Sequence, residues 1–168
     1  MILIVNTTSD RAITSEIAAS LAKKGAEFEV METSDKKISH CIGCNYCWLK
    51  TPGICSIKDD YEEILRKLVH AEQLWVVSDT ALGFLDHKGK NIFDRILPLA
   101  TMYLKFKGNQ MRHVLRYKGR TDIGLIYRGE ADREYLERWN SRATLNFGSK
   151  SLGAFPDSEL KEAVTCMH

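Results

Sequence analysis

Four of the chain's five cysteines fall within fifteen residues, "CIGCNYCWLKTPGIC" (41–55), spaced C-x2-C-x2-C-x7-C. Two-residue spacings let successive thiolates converge on one iron–sulfur cubane. Structural zinc usually takes two separated two-cysteine knuckles, and three cysteines in seven residues match that less well. Pro52 and Gly53 supply the turn that returns Cys55 towards Cys41, Cys44 and Cys47. On spacing alone four outcomes stand: a cluster, reduced thiols without metal, zinc, or a redox disulfide. Cys166 lies far off in sequence and reads as a small buried hydrophobe.

Two further segments could do chemistry. "NTTSDRAITS" (6–15) is rich in hydroxyls, contains Arg11, and runs into a helix N-terminus. Outward N–H groups, the helix dipole and Thr and Ser hydroxyls suit a phosphate there. It lacks the Gly-Lys-Ser/Thr of a Walker A loop. The alternative is that Thr14 or Ser15 simply caps the helix and the loop is solvated. "SDTALGFLDHKGKNIFDR" (78–95) contains Gly83, where backbone could approach a flat ligand closely.

These segments must be positioned by the elements around them. "ILIVN" (2–6) reads as a strand buried on both faces. "ITSEIAASLAKKG" carries Ile13, Ile17 and Leu21 at four-residue spacing and ends on Gly25, so it predicts a helix. Strands follow at 27–32, 73–79, 122–129 and 150–155. Asp59 and Glu62 form a capping pattern before a helix whose apolar face is Tyr61, Ile64, Leu65 and Leu68. Further helices are expected near 90–104, in "YLERWNSRATLNF" and in "DSELKEAVTCM". Five strands alternating with helices predict an α/β doubly wound parallel sheet with helices on both faces, in one domain over 1–168. Such sheets bind ligands beyond the carboxyl ends of their strands, where all three segments lie.

Composition excludes several classes. With 44% hydrophobic and 27% charged residues the chain is an ordinary globular one. No apolar run reaches membrane-span length, and the start lacks the features of a secretory leader. A cytoplasmic location is expected, where thiols stay reduced. The stretch 103–120 holds six Lys and Arg and no acid, so the rest of the chain is net negative. It could attract a phosphorylated cosubstrate, or be a solvated surface. Phe106 and Tyr117 are too few for a base-stacking platform, so no nucleic acid is expected.

The three segments, above all the cysteine run continued by "IKDD", resemble the flavodoxin-like NAD(P)H-dependent FMN reductases and, within them, the iron–sulfur flavoproteins. The resemblance covers nearly the whole chain. It implies a five-stranded flavodoxin-like sheet of order 2-1-3-4-5, with FMN at the strand ends. By position it puts the FMN phosphate on Thr7, Ser9, Arg11, Thr14 and Ser15. The ring falls on Ser78, Asp79, Thr80, Ala81, Leu82 and Gly83. A [4Fe–4S] cluster falls on Cys41, Cys44, Cys47 and Cys55. It also implies a homodimer or homotetramer and NAD(P)H as cosubstrate with a small-molecule acceptor. No catalytic side chain is implied, because hydride chemistry belongs to the flavin. This chain departs from the family pattern at Ala12 and Ile13, where Gly and Asn are usual. It departs again at Asp79 to Ala81, where Pro-x-Tyr is usual. The alternative is therefore a non-enzymatic binding or redox-sensing module whose flavin site has decayed.

Overall fold

The run Ile2–Asn6 (β1) is apolar and buried at every position, as a central parallel strand requires. The computed structural model describes residues 1–168. After β1 come α1 (Arg11–Lys23), β2 (Phe28–Glu32), the short α2 (Tyr46–Leu49), α3 (Tyr61–Leu68) and β3 (Gln73–Ala81). Then follow β4 (Phe84–Leu85), α4 (His87–Asp94), β5 (Ala100–Lys107) and β6 (Gln110–Leu115). The chain closes with β7 (Asp122–Arg128), α5 (Arg133–Asn146), β8 (Ser151–Pro156) and α6 (Leu160–Thr165).

The main sheet runs β2-β1-β3-β7-β8, all pairs parallel. That is the expected order 2-1-3-4-5 and the flavodoxin-like arrangement. β4 adds an antiparallel stub to the end of β3. Two cores cover the sheet. Ile13, Ile17 and Leu21 of α1 and Leu160, Ala163 and Val164 of α6 pack on one face against Ile2, Ile4, Trp75 and Val77. On the other face Tyr61, Ile64, Leu65 and Leu68 of α3, Ile92 and Phe93 of α4, and Leu136 of α5 pack against Leu3, Val5, Leu74 and Val76. The faces alternate along each strand, as the pleat dictates. No helix is long and apolar enough to cross a membrane.

One expectation is corrected. The helix near 90–104 ends at Asp94, and Ala100–Lys107 is a strand. Pro98 sits in the short 3-10 turn Leu97–Leu99; its ring and missing N–H cannot continue an α-helix from α4. β5 pairs antiparallel with β6, so the basic stretch is a two-stranded ribbon apart from the main sheet. Leu104 (50% exposed) and Phe106 (79%) lie on it, with Met111 paired to Phe106. Cys166 is half-buried rather than buried, packed on the α1–α6 core.

Candidate functional site

The cysteine segment leaves β2 and returns to α3. Its neck is closed by backbone and carboxylates. Lys37 N–H donates to Asp60 Oδ2 (2.6 Å), Asp60 N–H to Lys37 O (3.1 Å), and Ser39 N–H to Asp59 Oδ2 (2.8 Å). Asp59, read from sequence as a cap, does accept the Tyr61 N–H at 3.2 Å, but its other oxygen meets Arg95 at 2.5 Å. Within the loop, Gly43 (φ +65°) and Asn45 (φ +58°) are left-handed on either side of Cys44. Gly and Asn are the residues that adopt that conformation readily. α2 is anchored by Trp48, whose indole N–H donates to Leu97 O (2.8 Å) and whose ring lies 5.0 Å from that of His113 on the ribbon.

Cys41, Cys44, Cys47 and Cys55 line one pocket with Ser56, Asp94 and Arg95. Hydrogen bonds from Ser56 and the Tyr46 N–H hold the Cys44 thiol below its ordinary range. Burial, reinforced by the neighbouring Cys55, Cys41 and Cys44 sulfurs, pushes the Cys47 thiol up. Four sulfurs that repel one another when ionised suit a cationic centre among them. No three of them form a set that would grip a single bare ion. A cubane would take each cysteine at a different iron, whereas one zinc would need them all within reach of a single ion. All five cysteines are free.

The loop after β1 is held largely by its own hydrogen bonds. Asn6, fully buried, donates to Glu32 Oε2 (2.8 Å) and Asp10 O (3.0 Å) and accepts from the Thr8 N–H and hydroxyl. The Thr7 hydroxyl donates to Val77 O (2.9 Å), and that of Ser15 to Arg11 O (2.8 Å). The Thr14 hydroxyl lies 2.6 Å from Glu32 Oε1 and 3.1 Å from Arg11 O. Asp10, not Thr14 or Ser15, caps α1 by accepting the Ala12 N–H. Ser9 and Arg11 are exposed, and of the five assigned residues they alone point no committed donor inward. The loop also carries two carboxylates, Asp10 at the α1 cap and Glu32 against Asn6 and Thr14, which work against an anion there.

At the same edge Asp79 accepts from Arg128 Nε (2.7 Å), and Arg128 Nη1 reaches Asp10 Oδ2 (3.2 Å). This arginine draws together the first and third loops. Ser78 is buried and bonded to Asp79 O and Asp86 Oδ1, and Thr80 donates to Arg128 O. Ala81, Leu82 and Gly83 form the β3–β4 turn, with Leu82 (φ +54°) fully exposed. A polar cavity lies between the ends of β1 and β2 and the start of α4, lined by Thr7, Thr33, Lys36, His87, Lys88 and Asn91.

Sequence reasoning missed Arg95, Arg128, Asn6 and Glu32. Arg95 was legible in part: a charge within "FDRILPL" has apolar neighbours on both sides, and a buried charge needs a partner. The other three acquire their roles through pairings across strands.

No family model matches the chain. Over 84 residues it is 37% identical to an iron–sulfur flavoprotein of Methanocaldococcus jannaschii, covering 50% of this chain and 42% of that protein. It is also 37% identical over 79 residues to an iron–sulfur flavoprotein of Archaeoglobus fulgidus, covering 47% of this chain and 38% of that one. This chain is similar to the iron–sulfur flavoproteins. The chain spans about two fifths of the length of these relatives. Solved structures extend the likeness in fold to the whole chain. The NAD(P)H:quinone oxidoreductase of Methanothermobacter marburgensis superposes with a TM-score of 0.62 at 13% identity, over 98% of this chain and 93% of that one. The two-electron reduced flavodoxin of Megasphaera elsdenii superposes at 0.51 and 13%, over 98% of each.

Proposed function

We propose that the chain is an FMN-dependent oxidoreductase that takes electrons from NAD(P)H and passes them on through a cysteine-held [4Fe–4S] cluster. The observation that carries this reading is the cysteine pocket. Cys41, Cys44, Cys47 and Cys55 face one space, closed at the neck by Asp59 and backed by buried Arg95. Bound there, the cluster supplies one-electron transfer. The loop holds the thiols at one place at the carboxyl edge, and Arg95 and Ser56 donate towards sulfur. At the first loop, Ser9 and Arg11 are the groups free to meet an FMN phosphate, and the β3–β4 turn is the surface nearest a ring. The relatives' names support flavin, and the resemblance supports flavin and pyridine nucleotide.

The ribbon supports self-association into a homodimer or homotetramer. Its apolar residues are exposed, and its basic charge is opposite to that of the rest of the chain.

The test is anaerobic reconstitution with iron and sulfide, comparing wild type with Cys44→Ser. The expected result is about four irons per wild-type chain with a broad brown absorbance. Wild type without iron, or Cys44→Ser with the same iron and spectrum, defeats the cluster. A second reading, a module without flavin catalysis, is favoured by the Asp10 cap and the Asp79–Arg128 pair standing where phosphate and ring are expected. Titration with FMN separates the two: a chain that binds no FMN follows the second.

A further inference from the structure

Arg95 stands one residue beyond α4, with its side chain 1% exposed. Its Nη1 donates to Asp59 Oδ2 at 2.5 Å and Ser39 O at 3.1 Å. Its Nη2 lies 3.4 Å from Cys55 Sγ and 3.5 Å from Ile57 O. The guanidinium lies over the Tyr61 ring, 4.5 Å from its centroid. Tyr61 is itself fixed by donating to Ile92 O at 2.8 Å. Ser39 enters the cysteine loop, and Cys55 to Ile57 leave it. One rigid planar group therefore fastens both ends of the loop to α3 and α4. A planar fork with donors on several sides can make this set of bonds; the point charge of a lysine cannot. Burying a charge is costly; here Nη1 and Nη2 are paired, one of them towards a sulfur, while the buried Nε has no hydrogen-bond partner.

We infer that Arg95 is a positioning residue of the cysteine site, closing the neck of the loop and donating an N–H···S hydrogen bond to Cys55. The neck closure arranges the thiols before any metal enters. The sulfur bond stabilises negative charge on Cys55, and hydrogen bonds to cluster sulfurs favour the reduced state. The sulfur half of the inference rests on the cluster reading above; the neck half does not.

Two full-length variants test it. Arg95→Lys keeps the charge and loses the fork. Arg95→Met combined with Asp59→Leu removes both charges, leaving no unpaired buried carboxylate. The first measurement is amide hydrogen exchange of the metal-free protein. Residues 39–57 are expected to exchange about tenfold faster in both variants, the effect of losing about one hydrogen bond, with β1, β3 and β7 unchanged. Unchanged exchange at 39–57, or acceleration spread evenly over the chain, overturns the positioning role. The second is a redox titration after anaerobic reconstitution with iron and sulfide. The midpoint is expected to be more negative in Arg95→Lys, which keeps both charges and loses the sulfur bond. An unchanged midpoint overturns the sulfur bond. Wild type without iron overturns the cluster reading and the sulfur half with it, while the exchange result decides the neck.

Discussion

At the scale of single residues, the hydrogen-bond assignments sort side chains that sequence position treats alike. Thr14 and Arg11 both fall on the first loop, yet the Thr14 hydroxyl is bonded to Glu32 and Arg11, while the Arg11 side chain is free. Arg11→Ala is expected to weaken FMN binding by about 1.5–3 kcal/mol, the worth of a charged hydrogen bond, and Thr14→Ala to leave it nearly unchanged. Titration of the apo-protein followed by flavin fluorescence checks both. Asp59 is the second case. Burial works to raise its carboxyl, but the hydrogen bond from Arg95 and that from the Ser39 N–H outweigh it and hold the group below the usual range. A carboxyl held low in the folded state stabilises above its unfolded value of about 3.9, and that contribution is lost as pH falls through the folded value. Asp59→Ala is expected to cost about 3–5 kcal/mol at neutral pH, because Arg95 is left buried and unpaired. Its urea midpoint should also fall less steeply than wild type below about pH 4. An equal slope in the two proteins would count against this pairing.

At the scale of elements, the carboxyl edge is set by how closely α4 can approach β3. Gly89 in the first turn of α4 lies against Ser78 of β3, and an added Cβ would sit 2.2 Å from Ser78 Oγ and 2.6 Å from its Cβ. Gly89→Ala is expected to destabilise by about 1–3 kcal/mol through overpacking. Denaturant unfolding measures this, and a change below half a kcal/mol would mean that α4 yields without cost. Deeper in the sheet, Gly124 of β7 makes room for Trp75, whose ring an added Cβ would meet at 2.5 Å. The β3–β4 turn shows the opposite situation. Leu82 takes a left-handed conformation with its side chain wholly in solvent, where nothing in the folded chain rewards it. A bulky residue at positive φ costs roughly 1–2 kcal/mol, and such outliers gather at functional edges.

At the scale of the whole molecule, the β5–β6 ribbon is the feature that the body leaves uncovered. Leu104, Phe106 and Met111 share one face through the pairings Leu104↔His113 and Phe106↔Met111. His113 links that face to Trp48 in the cysteine loop. A lone two-stranded ribbon is marginal in water, and an apolar face on it gains by being covered. In the self-association proposed above, Leu104→Asp with Phe106→Asp is expected to leave the chain monomeric where the wild type is oligomeric, read by light scattering on a sizing column. An unchanged mass would place self-association elsewhere.

The residue pattern by itself determined the parallel sheet and the clustering of four thiols, while the strand order came only from the resemblance to the flavodoxin-like reductases. Continuous apolar runs such as Ile2–Asn6 demand burial on both faces, and helices with apolar residues at four-residue spacing supply the cover. Both are local signals. The ribbon was not legible: "ATMYLKFK" has apolar residues that suit either a helix or a strand, and its pairing with Gln110–Leu115 settles the matter. Tertiary structure alone decided that Glu32 takes the Thr14 hydroxyl, that Arg128 spans Asp79 and Asp10, and that Arg95 grips the neck of the cysteine loop. Each of these contacts joins residues far apart in sequence. Hydrogen bonds and ion pairs act over a few ångströms, so their partners are selected by the packing of strands and helices, which no spacing along the chain encodes.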